Sequence, residues 1–290
     1  VAAPFPLCYV NGQYMPIEEA RISPFDRGFL YADGAYEVMP VYAGRPFRFR
    51  AHAERMTRSL REIRMEDPHT QDEWRAIIAK LIEPNGAVDQ YVYWQVTRGA
   101  ELGRNHAPLP DLPRTVFAFA APYPKASASA IENGVACITA QDTRWARCDI
   151  KSVSLLANVL LRQLSVDANA SETILLRGGE LTEASSSAVH VVINGEIRTP
   201  PNSPLILPGT TRGAVEKMAE RLGIPYRAVN VTEGELREAD EIWLSAALRE
   251  LSAVTSLDGR KVGDGRVGPL YRRVREAFEQ YKRELAPKPW

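Results

Sequence analysis

Apolar residues recur along this chain at two spacings, and the switches between them mark out its elements. Residues 7–10 and 13–16 flank Asn11-Gly12 and read as a hairpin opening an antiparallel sheet. After the turn cluster Ser23-Pro24-Phe25-Asp26-Arg27-Gly28, the stretch 31–41 reads as extended. It places Tyr36 and Val38 on one face, with Glu37 and Met39 on the other. Met56, Leu60 and Ile63 predict one amphipathic helix, and Trp74, Ile77, Ile78 and Leu81 a second. Residues 91–97 and 115–120 supply two further strands. The loop between them, 98–108, is polar, glycine-bearing and long for a hairpin, which marks it for function.

Residues 121–127 are rich in proline and small side chains and predict a linker between a domain at 1–120 and another at 128–290. In the second half, 135–140 reads as a strand. Leu155, Leu156, Val159, Leu160 and Leu164 recur at the spacing of a buried helix. Residues 172–176 and 189–193 read as strands, the latter ending in the hairpin pair Asn194-Gly195. Val215, Met218, Ala219 and Leu222 predict a helix from Thr211. Strands are expected at 225–231 and 241–245, a hairpin turn at Asp258-Gly259, and an amphipathic helix near 270–285.

Composition narrows the function classes. The 290 residues carry 36 Lys plus Arg against 36 Asp plus Glu, a formal net charge of zero. That leaves no electrostatic footprint for nucleic acid or an anionic membrane. No segment reaches the length of a membrane span, and Val1 to Pro6 lacks a basic, apolar leader, so a cytoplasmic setting is expected. Cys8, Cys137 and Cys148 are an odd number without metal-ligand spacing; no metal site is expected.

Three stretches carry chemistry. Arg147-Cys148-Asp149-Ile150-Lys151-Ser152 sets a lysine between a loop and the apolar helix. Such a lysine is either a charged cap or, at the edge of a core, a Schiff-base amine. Leu181-Thr182-Glu183-Ala184-Ser185-Ser186-Ser187 puts one carboxylate and a run of hydroxyls before a strand. Leu207-Pro208-Gly209-Thr210-Thr211-Arg212 opens a helix with a glycine and two threonines, a natural seat for a phosphate. Amine, carboxylate and phosphate seat are together what pyridoxal phosphate requires of a protein.

With Asp26-Arg27-Gly28 and Asp33-Gly34-Ala35-Tyr36-Glu37, these motifs resemble, in order and from about Leu7 to about Pro269, the fold-type IV pyridoxal phosphate enzymes. That family includes D-amino-acid aminotransferases, branched-chain aminotransferases and aminodeoxychorismate lyases. The resemblance implies a two-domain α+β fold. Its N-terminal domain is an α/β sandwich-like unit and its C-terminal domain a mixed α/β barrel-like unit, with the cofactor between them. It further implies that Lys151 forms the Schiff base, that Glu183 faces the pyridine nitrogen, and that Arg55, at the end of the His52-x-x-Arg55 pattern, binds the phosphate with Gly209, Thr210 and Thr211. Ser185, Ser186, Leu207, Ala246 and Ala247 then line the cofactor site. Tyr36 lines the substrate pocket. Arg104 and His106, two apart in the long loop, trap the substrate carboxylate, in the D-amino-acid enzymes from the neighbouring subunit, so a homodimer is implied. The substrates implied are amino acids and 2-oxo acids, with D-alanine and 2-oxoglutarate foremost.

Read alone, Tyr36 is a half-buried strand tyrosine, Arg55 a salt-bridged helix arginine, Glu183 an exposed residue before a strand, and Arg104 and His106 parts of a basic loop. The chain also departs from the family. Ala246 and Ala247 stand where relatives often present Ser or Thr, Ala188 where asparagine is common, and His190 where an apolar or aromatic residue is usual. Pro40 falls in the pocket-lining strand. Arg249 is either a surface residue or one that approaches the substrate side chain. An aminodeoxychorismate lyase, or a branched-chain or (R)-amine transaminase, would use the same lysine.

Overall fold

The computed structural model describes residues 2–285 and Trp290. Val1 of the leader reading and residues 286–289 of the second predicted domain lie outside the described residues. The chain divides into two compact units, one made of Val1–Pro124, Ile150–Leu155 and Leu285–Trp290, the other of Lys125–Asp149 and Leu156–Glu284. The segment bearing Lys151 therefore belongs to the first unit.

In the first unit, in chain order, are β1 (Leu7–Val10), β2 (Gln13–Pro16), α1 (Arg27–Tyr31), β3 (Gly34–Tyr42), β4 (Arg45–Pro46), α2 (Phe49–Glu62), α3 (Gln71–Ile82), β5 (Gln90–Thr97) and β6 (Thr115–Pro122). The strands form one antiparallel sheet in the order β2-β1-β6-β5-β3-β4. Asn11 and Gly12 both adopt positive φ, the twist a two-residue hairpin turn needs and the reason glycine suits its second position. α2 and α3 cover one face, burying Met56, Leu60, Trp74 and Ile78 against Met39, Val92, Trp94 and Val116. Thr70 caps α3 in a capping box with Glu73. The opposite face carries half-buried aromatics; Tyr36 stacks on Tyr93 at 5.6 Å and Tyr93 on Phe119 at 5.3 Å.

The second unit holds α4 (Ala128–Asn133), β7 (Val135–Gln141), α5 (Leu156–Asp167), β8 (Glu172–Arg177), β9 (Glu180–Ala184), β10 (Ala188–Ile193), β11 (Glu196–Thr199), α6 (Thr210–Arg221), β12 (Tyr226–Ala228), α7 (Glu233–Arg237), β13 (Glu241–Ala246), β14 (Glu250–Leu257), β15 (Arg260–Lys261) and α8 (Pro269–Leu285). Its mixed sheet runs β12-β11-β10-β13-β14-β7-β8-β9, with β15 paired to β14. The pairs β11/β12, β14/β7 and β7/β8 are parallel. α6 buries Ala214, Val215, Met218 and Ala219, and α8 buries Tyr271, Val274 and Phe278.

The buried-helix reading of 155–164 is corrected. α5 buries only Leu161 and Ser165, whereas Leu156 is 74% and Leu160 61% exposed. Helical periodicity reports that an apolar face exists, not what covers it. The strand expected over 225–231 shrinks to the three residues of β12, and β9 and β14 form where no strand was expected.

Candidate active site

Lys151 lies on a short extended segment beside β3. Its carbonyl accepts from Tyr36 N at 3.0 Å, Val153 N donates to Gly34 O at 3.1 Å, and Ala35 and Ser152 form an antiparallel bridge. Lys151 N donates to Ser59 Oγ at 3.2 Å. With both backbone groups tied, the side chain leaves a fixed point, and Nζ sits 4.3 Å from the centroid of the Tyr36 ring. Among the described residues no carboxylate pairs with Nζ, so the amine is held by an aromatic face instead of a counter-charge.

Glu37, on the other face of β3, is fully buried. It accepts from Arg55 Nε at 2.6 Å, Arg55 Nη2 at 2.8 Å and His52 Nδ1 at 2.7 Å. Burial alone would raise this carboxyl; the Arg55 charge and hydrogen bonds, helped by His52, outweigh it and hold the pKa down at about 2. Burial pushes His52 below its ordinary value, so the ring is neutral and its Nδ1–H donates to the ionised Glu37. The fork fixes the plane of the Arg55 guanidinium. Glu37 and His52 were visible in the motifs, but no role was expected of them.

In the loop before β6, Arg104 and His106 are exposed. Both lie against the Tyr31 ring, the Arg104 guanidinium 5.2 Å from its centroid and the His106 ring 5.5 Å away. Among the described residues neither side chain makes a hydrogen bond or ion pair.

In the second unit Glu183 occupies β9 and is 6% exposed. Its Oε1 accepts from Arg144 Nη1, and its Oε2 from Leu207 N at 3.3 Å. Burial pushes the Glu183 carboxyl up, opposed by Arg144 and the Leu207 amide. Arg144 is itself clamped by Asp142 through Nε and Nη2, both at 2.9 Å, and Asp142 accepts from Thr182 Oγ1 at 2.9 Å. The exposed reading of Glu183 is thereby excluded. Arg144 went unnoticed in the sequence because its partner lies on a strand that was not expected.

The hydroxyls of Ser185, Ser186 and Ser187 all donate to one buried carboxylate, Glu172. Arg249 reaches the same group, with Nη1 on Ser171 Oγ at 3.0 Å and Nη2 3.5 Å from Glu172 Oε2. Gly209 precedes α6 as its N-cap and has no side chain to cap it; the first turn carries Thr210, Thr211 and no acid. An acid-free helix start with its backbone N–H groups is the kind of donor set an anion favours. Ala246 ends β13, with Ala247 after it. Beside them Ser245 Oγ lies 2.9 Å from His190 Nε2, whose ring burial holds down at about 3 and therefore neutral.

Each of these groups, taken by itself, is of the kind pyridoxal phosphate requires. Lys151 offers an amine without a counter-charge, Glu183 a buried and oriented carboxylate, and the start of α6 an anion seat.

The model of the amino-transferase class IV family matches residues 34–257. D-alanine aminotransferase of Staphylococcus haemolyticus is 38% identical over 274 residues, covering 94% of this chain and 96% of the relative. That of Listeria monocytogenes serotype 1/2a (strain 10403S) is 37% identical, covering 93% of each. Among solved structures, the branched-chain amino acid aminotransferase of Escherichia coli superposes with a TM-score of 0.89 at 26% identity, over 94% of this chain and 93% of that one. The T.th. branched-chain amino acid aminotransferase with pyridoxamine 5'-phosphate gives a TM-score of 0.88 at 28% identity, over 97% and 94%.

Proposed function

The chain belongs to the amino-transferase class IV family of pyridoxal phosphate-dependent transaminases, and from that premise we propose that its amino donors are D-amino acids. D-alanine is the donor of choice and 2-oxoglutarate the acceptor, giving pyruvate and D-glutamate. The observation that carries this reading is the Arg104 and His106 pair, presented side by side on Tyr31 with no other polar partner among the described residues. The similarity to enzymes named D-alanine aminotransferase supports it.

Bound pyridoxal phosphate supplies an aldehyde that captures amines and a ring that takes up the electron pair released at Cα. Lys151 Nζ would hold it through that aldehyde. The same amine would serve as the base that holds and moves the proton at the substrate's Cα. Glu183 would hold a proton on the ring nitrogen; Arg144 and Leu207 N fix the carboxylate's direction. Arg55 and the start of α6 would hold the phosphate, and Leu207 would line the ring's seat. The serine hydroxyls stiffen the turn after Glu183 through Glu172. Tyr36 orients the Lys151 amine and lines the substrate pocket, while Arg104 and His106 fix the substrate carboxylate and so select the hand.

In this reading the working unit is a homodimer in which Arg104 and His106 complete the neighbour's site. Leu102, 92% exposed in the same loop, and the bare apolar face of α5 are surfaces such a neighbour would cover. The structural likeness to branched-chain enzymes supports one rival, an L-branched-chain transaminase. Titrating the pyridoxal absorbance band of the purified protein with D-alanine and, separately, with L-leucine tests between them. Conversion to the pyridoxamine band with D-alanine alone is expected. Conversion with L-leucine alone would overturn the handedness, and a band that ignores both would remove the transaminase substrates proposed.

A further inference from the structure

The carboxylate loop is exposed along residues 102–111, yet its backbone is tied down by one buried cation. Arg27 opens α1 and is 3% exposed. Its Nη1 donates to Asn105 O at 2.7 Å and to Glu101 Oε1, and its Nη2 to His106 O at 2.9 Å. Its Nε is spent on Asp33 Oδ2 at 3.0 Å. Two of the three loop groups it holds are therefore the carbonyls directly after Arg104 and of His106 itself. The other oxygen of Glu101 accepts from Leu109 N at 3.0 Å, which ties the loop's return limb to the same carboxylate.

The anchor is itself anchored. Asp33 also takes a fork from Arg98, Nε at 2.7 Å and Nη2 at 3.0 Å. Asp26, the N-cap of α1, accepts from Gly28 N at 2.7 Å and Thr97 Oγ1 at 3.0 Å. The Arg27 guanidinium also lies 4.5 Å from the Tyr31 centroid, so one ring has a fixed cation and the two loop side chains against it. A planar five-donor fork suits this task, since four acceptors in different directions can be met without moving the charge.

We propose that Arg27, acting with Glu101, is the positioning residue of the carboxylate loop: it sets where Arg104 and His106 stand while touching no substrate itself. The proposal rests on the reading of those two residues as the carboxylate trap. It assigns the Asp-Arg-Gly motif a part in substrate recognition distinct from the lysine and its cofactor.

The test is a double-mutant cycle on the holoenzyme with D-alanine, using Arg104→Ala, Glu101→Gln and Arg27→Lys, each alone, and Glu101→Gln combined with Arg104→Ala. Glu101→Gln keeps the shape of the anchor should Arg27→Lys fail to fold. The single anchor variants should raise KM for D-alanine about tenfold, the scale of one charged hydrogen bond, with kcat within about threefold. The pyridoxal band should be unchanged. Trypsin should cut after Arg104 faster in either anchor variant, because the backbone there is no longer held. Combined with Arg104→Ala, the anchor change should add almost nothing, since a positioning effect vanishes with the residue positioned. Full additivity, or unaltered KM and tryptic rate in Glu101→Gln, overturns the proposal. If Arg104→Ala alone leaves KM unchanged while the tryptic rate still rises in the anchor variants, the pinning stands and the carboxylate-trap reading is what has failed.

Discussion

Replacing Glu37 by Gln tests the buried cluster behind the lysine. The wild-type carboxyl sits at about 2 against 4.5 for the unperturbed group, which corresponds to about 3 kcal/mol of stability at neutral pH. Because the folded value is the depressed one, this contribution is complete above about pH 4.5 and fades as the pH falls toward about 2. About 1.4 kcal/mol of it is gone by roughly pH 3.5. Glutamine keeps the volume but cannot neutralise Arg55, and breaking a buried pair costs about 3 to 5 kcal/mol. Urea unfolding at fixed protein and cofactor concentration, followed by far-ultraviolet circular dichroism, should show the variant about 3 kcal/mol less stable at pH 7. The gap should narrow by about 1.4 kcal/mol at pH 3.5. A gap below about 1 kcal/mol at pH 7 would match a surface pair and refute the reasoning, as would a gap that does not change with pH.

Glu183→Gln should slow the single-turnover conversion of the pyridoxal band by on the order of 10²-fold, while cofactor affinity changes far less; an unaltered single-turnover rate would sink the electron-sink role. Leu160→Asp, on the exposed face of α5, should leave a folded monomer by sedimentation that gains activity when protein concentration is raised; a dimer of unchanged affinity would show that α5 is not the contact surface.

What the sequence revealed was what is local. Asn11-Gly12, Asn194-Gly195 and Asp258-Gly259 form the hairpin turns expected of them, with positive φ at every position; α3 buries all four periodic residues that predicted it, and α2 buries Met56 and Leu60 while Ile63 falls just past its end. Lys151 and Glu183 stood out because motif order singled them out. The supporting residues did not, because each is defined by a partner far along the chain. Glu172 is recognisable only when three serines more than ten residues later converge on it, and Arg27 only when a loop over seventy residues on folds back to it. β9 was hidden because Thr182 and Glu183 are polar yet buried, a pattern that reads as a loop until Asp142 and Arg144 are known to face them.

The placement of residues 150–155 in the first unit bears on how the chain brings Lys151 to Tyr36. The bridge from Ala35 to Ser152 joins residues more than a hundred positions apart, so it closes late, after the loop-closure entropy of the intervening chain has been met. During synthesis β3, β5 and β6 can already be paired while the lysine segment is still being made. Tyr36 then waits without its cation, and Glu37, Arg55 and His52 can assemble on the other face of β3 first. The amine is thus added to a finished surface, and an unfinished chain presents the Tyr36 face of β3 without the lysine that packs on it.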